Sequence, residues 1–106
     1  MVEFVIEELA SGQSFRVARL VRALARKWPG EKALMISFAL TNAASELEDL
    51  VSGDSSAASA ERAYRLAALV AGDVLAIEAM GRDVVLGRDL LHYWRRVDPY
   101  FLNLKH

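Results

Sequence analysis

Cysteine is absent from this chain, so it has no disulfide framework, no thiol nucleophile and no thiolate metal site. The composition fits a reducing compartment, and a cytoplasmic chain is expected. Histidine is scarce: His92 and the terminal His106 leave little for imidazole catalysis or metal ligation. Charge of one sign is missing as well, because 13 basic side chains face 14 acidic ones for a net charge of −1. Such a balance argues against a whole chain dedicated to nucleic acid or another polyanion, though it leaves room for a local patch. Long hydrophobic runs are lacking too. The longest nearly apolar stretches, residues 33–40 and 66–72, fall far short of the ~20 residues of a membrane span. Met1 is followed by Val2, Glu3 and Phe4 rather than by a basic stretch, so no secretory signal is read and no membrane association is expected. No low-complexity tract or solenoid-length repeat is visible.

Apolar residues are plentiful, at 54% of 106 residues, a high share for one small domain. A fold of this size has much surface, so the surplus suggests that some apolar groups are buried between subunits. The prolines, at 29 and 99, and the glycine clusters divide the chain into segments of helical periodicity. Residues 2–10 place Val2, Val5, Ile6 and Leu9 at helical spacing, with Ser11-Gly12 as a stop, despite some β-propensity at the start. Residues 15–28 are clearer. At 100° per residue Val17, Leu20, Val21, Leu24, Ala25 and Trp28 share one arc and the arginines the other, with Ser14 as N-cap and Pro29-Gly30 as terminator.

Residues 31–51 predict a third helix whose first half is apolar nearly all round. Leu34, Met35 and Phe38 lie away from the Ile36, Leu40 and Leu47 face, so the helix needs cover on two sides. After a short turn over 52–57, where Asp54 and Ser56 could cap, residues 58–80 predict an alanine-rich fourth helix. Ala60, Ala63, Ala67 and Ala71 leave room for close approach to Ala39, Ala43 and Ala44, making an antiparallel hairpin. That geometry gives a structural role to Glu46, Glu48 and Asp49, acids at a helix C-terminus where the dipole disfavours them. Arg62 and Arg65 would lie across the turn, with Arg62 opposite Glu46, for about 0–1 kcal/mol.

The segment GRDVVLGRDLL, residues 81–91, repeats Gly-Arg-Asp. Leu90, Tyr93, Trp94 and Val97 share a face, but running their register back through Gly87 turns Val84 and Val85 to the polar side. The repeat is therefore expected to be punctuation: Gly81 ends the fourth helix, Asp83 caps one short turn, and Asp89 caps a last helix over 89–97 that stops before Asp98-Pro99. The apolar tail, residues 98–106, is expected to cover the second face of the third helix in its own subunit or in a partner.

Four constellations could carry function. The first is the basic face Arg16, Arg19, Arg22, Arg26 and Lys27, with no acid from 15 to 28. Its simplest role is a solvated face partly compensated by Glu3, Glu7 and Glu8; an acidic protein partner and, less readily, nucleic acid are the functional alternatives. A helix-turn-helix is disfavoured because the segment after Pro29-Gly30 is too apolar to read bases. The second is Asp89 with His92, at the carboxylate–imidazole spacing of di-metal helical bundles. Those sites need a second such pair and two further acids, and the arginines around His92 repel a cation, so no metal is expected. The third is Glu78, on the apolar side of its helix, with Arg82 four residues on as a ready structural partner. The fourth is the aromatic end of the chain, Tyr93, Trp94, Tyr100 and Phe101, which suits a subunit interface or core packing equally. No nucleophilic triad is recognisable.

One domain spanning residues 1–106 is expected: an all-α, compact bundle of four to five helices built on the 31–51 and 58–80 hairpin. Its expected function is a non-catalytic protein-interaction or scaffolding domain, without cofactor or metal, that forms a homodimer. Leu34, Met35 and Phe38 and the aromatic residues above are the candidate interface. The alternative is a small regulatory protein that meets nucleic acid through the basic face of residues 15–28.

Overall fold

The computed structural model describes residues 1–11, 13–49 and 54–104. Among them the chain is all-α, with helices α1 (Val2–Ala10), α2 (Ser14–Ala18), α3 (Leu20–Lys27), α4 (Ala33–Asp49), α5 (Asp54–Ala79), α6 (Gly87–Arg96) and α7 (Tyr100–Asn103). The one extended feature there is an isolated antiparallel bridge between Lys32 and Leu86.

The α4–α5 hairpin is the backbone of the bundle, and alanine makes it close. Ala39, Ala43 and Ala44 of α4 and Ala60, Ala63 and Ala67 of α5 are all buried, and α4 packs most extensively on α5. Small side chains let the two helix backbones approach, and the hydroxyl of Ser37 donates to the carbonyl of Ala67 at 2.8 Å, which pins their register. The remaining helices supply bulk. Leu20, Leu24, Ile36, Leu40, Leu90, Trp94 and Phe101 lie in one contiguous apolar cluster. Each contributes on the order of 1.5–3 kcal/mol by leaving water.

Several expectations need correction. The helix foreseen over 15–28 is two helices, because Arg19 (φ −98°, ψ 0°) leaves helical angles between α2 and α3. Ser14 is the first residue of α2 rather than its cap; Gln13 holds the cap position, with no side-chain bond to the helix end. α1 ends as foreseen, where the Ser11 hydroxyl and amide both donate to the carbonyl of Glu8. Gly12 and residues 50–53, on which part of each expected turn falls, lie outside the described residues. α5 begins at Asp54, so the turn expected over 52–57 is already helical over its last four residues.

The doubled Gly-Arg-Asp resolves into two glycines with different tasks. Gly81 has φ +103°, the left-handed backbone that ends α5 and that L side chains resist. Gly87 opens α6 and needs space instead: a Cβ there would sit 2.5 Å from the Trp28 carbonyl oxygen and 3.2 Å from Pro29 Cα. The close approach lets the amides of Gly87 and Arg88 donate to the carbonyls of Glu31 and Pro29 at 2.9 and 3.0 Å, while Ala33 N–H donates to Val85 at 2.8 Å. The starts of α4 and α6 are thereby tied together. Asp83 caps no helical turn, since residues 82–86 are non-helical. Asp89 does serve α6, from its third position rather than from the cap: its carboxylate accepts the Leu86 N–H at 2.8 Å. Leu86 has no polar side chain to return the bond, so this is half of a capping box.

Candidate interaction surfaces

Within its own chain the described part of the tail, residues 98–104, does not cover the second face of α4. α7 packs beside α3 and α6, with the Phe101 ring 5.0 Å from that of Trp94. Leu34, Met35 and Phe38 are consequently left 54, 43 and 57% exposed. This face carries no charge between Lys32 and Glu46. On its flank, Leu34 lines a small hollow with Val74 of α5 and Val84 of the α5–α6 connection, rimmed by Lys32, Glu78 and Asp83. Leu75 is exposed on α5 as well.

The aromatic end divides between core and surface. Trp94 and Phe101 are fully buried, so they belong to the packing of the fold, whereas Tyr93 is half-buried and Tyr100 exposed. A buried indole needs an acceptor for its N–H, and Trp94 Nε1 donates to Asp73 Oδ2 at 2.9 Å. Burial pushes the Asp73 carboxyl above the usual aspartate range, against the lowering effect of the Trp94 bond, and Asp98 raises it further. Asp73 escaped sequence reasoning. Its signal was a lone acid beside the buried stripe of Val70, Val74 and Ile77, in a chain where Trp94 needed a partner.

The basic face is also divided. Arg16 is taken: its Nε and Nη2 donate to both carboxylate oxygens of Glu8 at 2.8 and 2.9 Å. That bond holds the Glu8 carboxyl below the usual glutamate range. The other four cations remain together around a shallow depression of ≈ 330 Å³ lined by Phe4, Arg19, Arg22, Ala23, Arg26 and Lys27. Arg22 is the anchored member. Its Nη1 donates to the carbonyl of Leu102 at 3.3 Å, and its buried Nε has no hydrogen-bond partner. Burial, then Arg26 and Arg19, hold its guanidinium below the usual arginine range. Lys27 lies over the rings of Phe4 and Trp28 at 5.2 and 5.6 Å.

The acidic candidates make local contacts. Both carboxylate oxygens of Asp89 are engaged, one by Leu86 N–H and one by Arg82 Nη2 at 3.2 Å, while His92 is exposed. Among the described residues no group of three or more His, Cys, Asp or Glu side chains gathers where a cation could sit. Glu78 is exposed rather than buried, and Arg82 pairs with Asp89 instead of with it. Glu46 and Arg62 form no ion pair among the described residues. Glu48 instead accepts a hydrogen bond across the hairpin from the Tyr64 hydroxyl, and Arg65 pairs within its own helix with Glu61. No helix among the described residues is long and apolar enough to cross a membrane.

Compared with known proteins, the chain matches no family model, no curated protein and no solved structure.

Proposed function

We propose that this chain is a non-catalytic interaction domain that forms a homodimer through the outer face of α4. The supporting observation is the exposure of Leu34, Met35 and Phe38 on one uncharged helix face, with the exposed Val84 beside Leu34. Scattered exposed apolar residues are ordinary on any protein, but a contiguous patch of large ones marks a contact surface. A second copy is the occupant that suits the face best. An uncharged helix surface can pack against itself about a two-fold axis without bringing like charges together at its centre. Lys32 at one end and Glu46 and Glu48 toward the other would lie crosswise when two copies of α4 run antiparallel. Tyr100 lies on α7, beside α3 and α6, outside this surface, and Trp94 and Phe101 are excluded by burial. A cytoplasmic location accompanies the proposal on grounds of composition.

Sedimentation velocity over a dilution series tests it. The chain should sediment as a dimer at tens of micromolar, and Phe38→Glu should sediment as a folded monomer. A wild-type monomer throughout the series would end the proposal.

A further inference from the structure

The depression between α1 and α3 is a second surface, independent of the α4 face. We infer that it binds an acidic segment of a partner protein, with Arg19, Arg22, Arg26 and Lys27 receiving clustered carboxylates. Within α3, Arg22 and Arg26 are one turn apart, and Arg19 holds the cap position just before the helix, so the three residues are spread along about 10 Å of backbone. They converge on the same hollow as Lys27. The acid that acts on Arg19 is Glu8, whose two oxygens are already bonded to Arg16. Among the described residues none of the four cations forms an ion pair with a carboxylate.

Arg22 shows that the arrangement is built rather than merely solvated. Its guanidinium is held by a backbone carbonyl, a neutral acceptor, and its Nε is shut away from water without a bond. Like charges so placed repel one another, and an anion at the hollow removes that repulsion. Guanidinium forks suit carboxylates because they can donate two parallel bonds.

A protein segment fits better than a nucleic acid. Single strands are held by stacking on open aromatic faces, and Phe4 offers none: Lys27 lies over it and Trp28 packs against it at 5.7 Å, 75° between planes. A duplex needs a long basic track. Here Glu3 and Glu7 are exposed on α1, the helix that supplies Phe4 to the hollow, and the chain as a whole carries −1. A compact group of two or three carboxylates meets the cations without running over those acids.

Fluorescence anisotropy with a labelled poly-glutamate peptide tests the inference, with labelled single-stranded and duplex DNA and unlabelled pyrophosphate as the other arms. The peptide should bind at low salt and weaken about tenfold or more between ~0.05 and ~0.3 M salt, as screening demands. The exposed pair Arg19→Glu with Arg26→Glu should abolish binding without unfolding the chain, since neither side chain is buried. Phe38→Glu should bind the peptide as wild type does, which separates this surface from self-association. No peptide binding at low salt, or tighter binding of DNA or pyrophosphate than of peptide, would overturn it.

Discussion

Phe38 and Phe101 sit in two apolar stretches of similar content, yet one ring is 57% exposed and the other 1%. The difference lies in what each stretch finds. Asp98-Pro99 turns the chain after α6, and the four residues of α7 bring Phe101 back onto Trp94, which is already anchored through its N–H to Asp73. Phe38 instead points away from a helix whose other sides are filled by α1 and α5. No remaining segment of the described chain is placed to reach it. Hydrophobicity says that a residue prefers cover; the connections of the chain decide whether cover comes from within.

The largest effects belong to the covered side of this comparison. Phe101→Ala should cost about 3–5 kcal/mol in urea unfolding, the range for emptying a buried aromatic site. A loss under about 1 kcal/mol would mean that α7 is a loose appendage. Gly87→Ala should follow, at roughly 1–3 kcal/mol, because the added methyl meets backbone atoms of Trp28 and Pro29 that cannot swing aside. Gly81→Ala has free space and pays only for its left-handed φ, about 1 kcal/mol. Equal costs at the two glycines would refute the separate tasks assigned to them.

On the open side, Phe38→Glu should change the unfolding free energy of the dissociated monomer by no more than about 0.5 kcal/mol, as exposed substitutions usually do. A collapse in stability would show that the ring is covered after all. The smallest effect is expected at Asp73. Its carboxyl titrates above the usual range when folded, so protonation favours the fold, and that favour is lost as pH rises through the folded value. Asp73→Asn keeps an acceptor for Trp94 without the charge. It should therefore be slightly more stable than wild type at neutral pH, with the advantage gone once the wild-type carboxyl is protonated. An advantage that persists in acid would mean that burial of the charge is not its source.

Periodicity and small-residue spacing made the hairpin legible, because alanines at 39, 43, 60, 63 and 67 leave few other ways to pack two long helices. Pro29, Gly81 and the Asp98-Pro99 pair likewise marked real ends. Three things were not legible. The lapse at Arg19 breaks no hydrophobic pattern, since Leu20, Val21 and Leu24 stay buried on either reading. Docking of the tail depends on α3 and α6 presenting Trp94 and Leu90 together, a tertiary fact. Pairing of the acids was misjudged because long side chains choose among neighbours by geometry: Arg82 reaches Asp89 rather than Glu78, and Glu48 meets a tyrosine rather than an arginine. Of the basic face, the charges and their partial compensation by Glu8 were visible in sequence, but the anchoring of Arg22 was not.

The central claim is that the outer face of α4 is closed by a second copy. A cysteine-free chain permits a direct test, with one cysteine introduced at the exposed Thr41 of α4 and labelled with a nitroxide. Double electron–electron resonance at tens of micromolar should show a defined distance between labels of two copies, and Phe38→Glu should abolish it. A featureless background from the wild-type chain, or a distance that survives Phe38→Glu, would contradict the account.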